Sequence, residues 1–155
     1  QKDRSAPEGG VPFDKLVSWT NRPEDGIRYF SGTASYEQGV NVSQERLQSG
    51  KRVYLDLGDV RHLAEVFVND KPLGVLWKPP YRVDITDVAK PGANKVEVRV
   101  TNVWKNRLIG DQKLPAQQRI TWTFYPFYKA DAPLVESGLL GPVRLLSAGV
   151  NEVPR

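Results

Sequence analysis

The sequence predicts an all-β fold, a jelly-roll β-sandwich of two antiparallel sheets. Three observations carry that expectation. Apolar residues recur with a period of two in short segments, the segments are separated by Gly, Pro, Asn and Asp, and no stretch sustains the apolar stripe of a long helix. Short strands that each bury one face are covered by packing two sheets face to face.

In chain order, residues 1–12 are polar and aperiodic and read as a linker or disordered lead-in, residues 13–148 as one sandwich domain, and residues 149–155 as a C-terminal tail. Strands are expected at Lys15 to Trp19, Thr33 to Val42, Arg52 to Leu57, Ala64 to Asn69, Leu73 to Trp77, Tyr81 to Ile85, Lys95 to Thr101, Arg119 to Tyr125 and Val143 to Ser147. In "RVYLDL", Val53, Leu55 and Leu57 face one way, and Arg52, Tyr54 and Asp56 face the other. "KVEVRVT" does the same with Val96, Val98 and Val100. "AEVFVN" sets Ala64, Val66 and Val68 on one face and leaves Phe67 on the other, while "RITWTFY" sets Ile120, Trp122 and Phe124 against Arg119, Thr121 and Thr123. Asn69 and Asp70 tolerate left-handed backbone and predict a hairpin turn. "DITDVAKPG" predicts one helical turn, capped by Thr86 or Asp87 and stopped by Pro91 and Gly92.

Composition narrows the function. A chain of 155 residues, 39% of them hydrophobic, suffices for one core. Cys is absent, which removes disulfides and thiolate chemistry. The net charge of +4 is scattered, with no Lys/Arg run of the kind that tracks phosphates, so nucleic acid is not an expected partner. No apolar run approaches the roughly 18 to 20 residues of a membrane span, so no membrane partner is expected either. The opening "QKDRSAPEGG" lacks Met and a signal-type apolar stretch, and reads as cut from a longer chain.

Two loops hold residue types suited to sugar. Trp77 and Tyr81 flank a Pro pair: aromatic faces stack on the C–H faces of sugars, and prolines stiffen the loop. The same four residues would equally make a corner where the chain crosses between sheets. "NVWKNRLIGDQKLP" predicts a long polar loop with Trp104, Asn106, Arg107 and Asp111, in which Arg and Asp can bond adjacent hydroxyls while Trp supplies a stacking face; an Arg107–Asp111 bridge pinning the loop is the alternative. Catalytic residues are not assigned. The single histidine, His62, has no evident partner. No cofactor is expected. Asp56, Asp59, Asp84 and Asp87 could give oxygen ligands to a structural calcium ion, but they lack the spacing of a calcium loop, and turn formation explains them.

Together "GIRYFSGTASYEQGVNV", the run from "RVYLDLGDV" to "NKVEVRVTN" and "ESGLLGPVRL" resemble the galactose-binding-like jelly-roll domain of family 2 glycoside hydrolases. "LWKPPYRVDIT", "TNVWKNRLIGDQKLP" and "SGLLGPVRL" resemble more closely still the C-terminal sandwich of the rhamnosidase-type enzymes of family 106. The resemblance implies a non-catalytic accessory module of a carbohydrate-active hydrolase, supporting the catalytic domain of a larger parent chain, binding carbohydrate weakly, or both, in a periplasmic or extracellular setting. It also implies a domain-contact or site-edge role for Asp131 or Glu136, in the segment before the "SG" strand. The competing expectation is a protein-interaction module that docks a partner through exposed aromatics such as Phe67.

Overall fold

Alternation does what it predicts in the three clearest segments. Val53, Leu55 and Leu57, then Ala64, Val66 and Val68, then Val96, Val98 and Val100 all turn inward and are buried. Each of the Val and Leu side chains contributes about 1.5 to 3 kcal/mol by leaving water. A computed structural model of the chain describes residues 9–149; the expected tail beyond Gly149 and the first eight residues of the expected lead-in lie outside the described residues.

Nine strands are described: β1 (Thr33–Val42), β2 (Lys51–Asp56), β3 (Asp59–Arg61), β4 (Leu63–Val68), β5 (Lys71–Leu76), β6 (Arg82–Asp84), β7 (Gly92–Thr101), β8 (Gly138–Gly141) and β9 (Arg144–Gly149). One sheet has the order β1-β7-β4-β5, the other β6-β2-β9, and β3 pairs with β8 as a ribbon. All of these pairings are antiparallel. Between the two larger sheets lies one core, to which Trp19, Ile27, Tyr81, Ile85 and Leu139 also belong.

The turn at Asn69 and Asp70 forms as expected, with φ of 51° and 64° at the two residues. Positive φ at both positions matches the right-handed twist of the flanking strands. The Asn69 side-chain amide then donates to the Val88 carbonyl at 2.9 Å and to Asn94 Oδ1 at 2.8 Å, fastening the hairpin to the turn before β7 and to the start of β7 itself. In β5 one extra residue opposes β4 between Glu65 and Phe67, a bulge next to Gly74.

The outward face of the four-stranded sheet is a charge cluster. Arg99 lies 4.2 Å over the Phe67 ring and donates to Glu97 at 2.7 Å. Phe67, read from the sequence as a free aromatic, is therefore half-buried beneath a guanidinium.

Three expectations fail. Lys15 to Trp19 is no strand: the chain runs irregularly into a single 3-10 turn at Trp19–Asn21, where the Trp19 indole donates to the Tyr36 hydroxyl at 2.5 Å and plugs one end of the core. Arg119 to Tyr125 has no strand partner and lies on the surface. The helical turn after Ile85 forms, but Asp84 caps it, accepting from the Thr86 N–H at 2.9 Å.

Candidate functional site

The segment expected as a long polar loop holds a helix, α2 (Lys105–Gln112), whose Gly110 lies against Tyr29, the residue that follows a one-turn α1 (Asp25–Arg28). Its inward face is polar. Asn106, Arg107 and Asp111 are buried together with Ile109 and Gly110. Asn106 donates to the Val135 carbonyl at 2.7 Å and accepts from the Val135 N–H at 2.9 Å. It also donates to the Ser137 hydroxyl, which Asn102 reaches from the end of β7. Gly110 permits the close approach: a Cβ there would lie 2.7 Å from Tyr29 Cγ.

Arg107 and Asp111 are one helical turn apart, with Nη2 to Oδ1 at 3.2 Å. The other carboxylate oxygen of Asp111 accepts from the backbone N–H of Ile120 at 3.2 Å, from that of Thr121 at 2.7 Å and from the Thr121 hydroxyl at 2.5 Å. One buried carboxylate thus ties α2 to the root of the segment that follows. Beyond that root the aromatics have no cover. Trp122 is 82% exposed and Phe124 93%, and Tyr125 and Phe127, exposed too, meet edge to face at 5.7 Å.

Trp104, at the N-terminal end of α2, is exposed as well. Together with Ser31, Arg107, Ile120, Thr121 and Trp122 it lines a cleft of about 340 Å³. Two indoles and a guanidinium meet there. Of the residues the sequence suggested for a sugar platform, Trp104 and Arg107 line this cleft, and Trp122 and Thr121 stand where Trp77 and Tyr81 were expected. Trp122 and Thr121 were assigned to opposite faces of a strand. The signal against that assignment was the lack of a second apolar segment to pair it.

Trp77 and Tyr81 do not enter this cleft. Leu76 pairs with Ala64 and Ala64 with Val100, so the loops bearing Trp77 and Trp104 leave the same end of the sheet. β4 lies between their strands, which sets them roughly 10 Å apart. Tyr81 is buried where the chain passes between sheets; its carbonyl accepts from Leu57 N–H at 2.8 Å and its hydroxyl donates to the His62 carbonyl at 3.3 Å. Trp77 projects into solvent with Lys78 Nζ 5.2 Å over its ring. The corner reading therefore describes Tyr81, and Trp77 stands free of it.

Asp131 is exposed in a turn, and Glu136 is exposed and accepts from Arg61 at 3.3 Å. Asp56 accepts from Gly58 N–H and pairs with Arg82, while Asp84 pairs with Arg52 at 2.6 Å, so turn and strand contacts use these carboxylates. Among the described residues no three acidic or histidine side chains group around a metal position. A larger cavity, about 740 Å³, opens between the strap from Gly9 to Leu16 and the inner side of β1, where Tyr36, Val96, Val98 and Leu139 make an apolar wall.

Comparison with known proteins accords with this architecture. Residues 20–131 match the glycosyl hydrolase 2 galactose-binding domain-like family. A rhamnosidase from Novosphingobium sp. PP1Y has a superposable region with a TM-score of 0.88 at 44% identity, covering 96% of this chain and 14% of that one. A Formosa agariphila protein provisionally named a beta-glucuronidase is 43% identical over 158 residues, again covering 87% of this chain and 14% of its own length. A beta-glucuronidase from Lactobacillus rhamnosus aligns over 63% of this chain and 17% of that enzyme, with a TM-score of 0.55 at 25% identity. The chain thus spans a small fraction of the relatives it matches. With its antiparallel sheets, its hairpin at Asn69 and its family match all in agreement, the chain belongs to the galactose-binding-like domain family of glycosyl hydrolase 2.

Proposed function

We propose that this β-sandwich is a non-catalytic accessory module of a larger exported, carbohydrate-active hydrolase, and that it docks on the catalytic part of that hydrolase through the aromatic segment from Trp122 to Phe127. One observation carries the reading. Four large aromatics stand exposed on a segment whose root is fixed by the buried Asp111. A contiguous exposed apolar patch marks an interaction surface, and a fixed root lowers the ordering cost of using it. The small share of its relatives' length that the chain covers supports a covering surface within the same polypeptide. A separate partner protein is the second reading, and the same aromatics would serve it.

The test is to unfold the parent hydrolase carrying Phe124→Ser and Phe127→Ser. The module by itself should keep its stability within about 0.5 kcal/mol, since both side chains are already in water. In the parent, the transition of the module should separate from that of the catalytic part. An unchanged, cooperative parent transition would refute docking through this segment, and turnover of aryl glycosides by the module alone would refute its accessory role.

A further inference from the structure

We propose that the outer rim of β1 takes up one extended strand from elsewhere in the parent hydrolase, apolar at alternate positions, which closes the cavity of about 740 Å³ beneath that rim. The inference rests on reading this chain as a module of a larger hydrolase, and it makes no use of the aromatic segment.

The register of β1 shows which of its backbone groups are unspent. The Asn102 N–H donates to the Gly32 carbonyl at 3.2 Å, one step beyond the pair Thr33 and Thr101. Bonded pairs alternate along an antiparallel ladder, so Ala34, Tyr36 and Gln38 spend their backbone groups on β7. The bond from the Asn69 N–H to the Lys95 carbonyl at 2.8 Å agrees, since it gives the odd-numbered residues of β7 to the β4 side. Thr33, Ser35 and Glu37 therefore aim their N–H and C=O groups away from the sheet, where among the described residues no strand pairs with β1. Gly39 faces outward too, but the Gln38 side-chain amide already donates to its carbonyl at 3.1 Å.

The cavity lies along this row. Six consecutive residues, Thr33 to Gln38, line it, and their side chains alternate between the two faces of the sheet, so a space that meets all six runs along the rim. The strap from Gly9 to Leu16 makes its far wall, and Tyr36, Val96, Val98 and Leu139 make an apolar floor.

The occupant has to match both surfaces. A small apolar molecule would cover the floor and leave the row of donors and acceptors bare, whereas an extended chain bonds the rim through its backbone and sets every second side chain on the floor. β1 is built to be copied: it has ten residues, no proline, and pairs with β7 without a shift of register. Edges left to water are usually shortened or interrupted. Side chains of the incoming strand that face away from the floor would lie beside the exposed Glu37, 3.5 Å from Lys95, so Lys, Arg or Thr is favoured there. The chain spans 14% of the Novosphingobium rhamnosidase and 14% of the Formosa protein. A strand tethered in the same polypeptide has a high effective concentration, which favours it over a separate chain.

The experiment compares hydrogen–deuterium exchange, resolved to single amides, in the 155-residue chain and in the parent hydrolase. The Ala34, Tyr36 and Gln38 amides should be slow in both. The Ser35 and Glu37 amides should exchange fast in the separate chain and slow down by roughly 100-fold in the parent. Glu37→Pro removes one outward donor, a change that an edge strand tolerates. In the parent it should return the Ser35 amide towards its fast rate, while the Ala34 amide of the separate variant stays slow. If that variant does not fold, the wild-type comparison decides. Equal rates for Ser35 and Glu37 in the two proteins would overturn the proposal; a parent that still unfolds as one unit would then leave the accessory reading standing. Slow exchange of both amides in the separate chain would overturn it as well, rising with concentration if a second copy holds the rim and independent of concentration if the chain covers itself.

Discussion

Asn106 and Val135 form a closed pair: the Asn106 side-chain amide donates to the Val135 carbonyl at 2.7 Å while its carbonyl accepts from the Val135 N–H at 2.9 Å. A buried asparagine here takes the place of a strand neighbour. It satisfies the backbone of a segment that runs towards β8 without belonging to a sheet. Asn106→Leu keeps much of the volume and removes both bonds, leaving the Val135 N–H unpaired and its carbonyl with the Ser137 hydroxyl alone, at 3.1 Å. The expected cost is at least about 2 kcal/mol in urea unfolding, with faster amide exchange at Val135. Unchanged protection at Val135 would show that another group serves its backbone.

Gly110→Ala tests the contact between α2 and Tyr29. In an exposed helix the substitution would gain about 1 kcal/mol from propensity. At this position the added methyl would lie 2.7 Å from both Tyr29 Cγ and Arg107 Nη2. Overpacking should dominate, so the expected change is a loss of about 1 to 3 kcal/mol. A gain in stability would mean that α2 stands farther from Tyr29 than described.

Acid should loosen the contacts between β2 and β6. Burial pushes the Asp56 carboxyl up, but hydrogen bonds from Arg82 and the Gly58 N–H, with the charges of Arg82 and Arg144, hold it below the ordinary carboxylate value. Asp84 is likewise pushed up by burial and brought down further by bonds from Thr86 and Arg52. A carboxyl whose folded-state pKa lies below its unfolded value adds stability that is complete above about 3.9 and is lost as pH falls through the lower folded value. Urea midpoints should therefore hold between about pH 7 and 5 and drop below roughly pH 4. The double variant Asp56→Asn with Asp84→Asn should lose part of that drop. If wild type and variant show the same acid dependence, these carboxylates are not its source.

The sheets were legible because alternation reports burial wherever a second apolar face exists to meet it. Val53, Val66 and Val98 all obey it. Ile120, Trp122 and Phe124 obey the same pattern yet lie on the surface, because alternation says which residues share a face and nothing of what that face meets. Helix α2 was illegible for the opposite reason. Its buried side is made largely of Asn106, Arg107 and Asp111, and a search for apolar spacing passes over a stripe whose burial is secured by hydrogen bonds and an ion pair. Lys15 to Trp19 misled in a third way, since a single large side chain, Trp19, gains its burial end-on from a turn. Of the candidate site, Trp104 and Arg107 were named from sequence and do meet; Trp122 came to them only through the bonds of Asp111.

One of the two outer strands of the four-stranded sheet carries its own protection against unwanted assembly. β5 contains Pro72, which has no N–H to offer an incoming strand, and next to Gly74 it bulges by one residue, which breaks the regular spacing that a continuing ladder would copy. A second chain meeting that rim finds an interrupted row of donors. That rim can therefore stay open to water without serving as a template on which a further chain would extend the sheet.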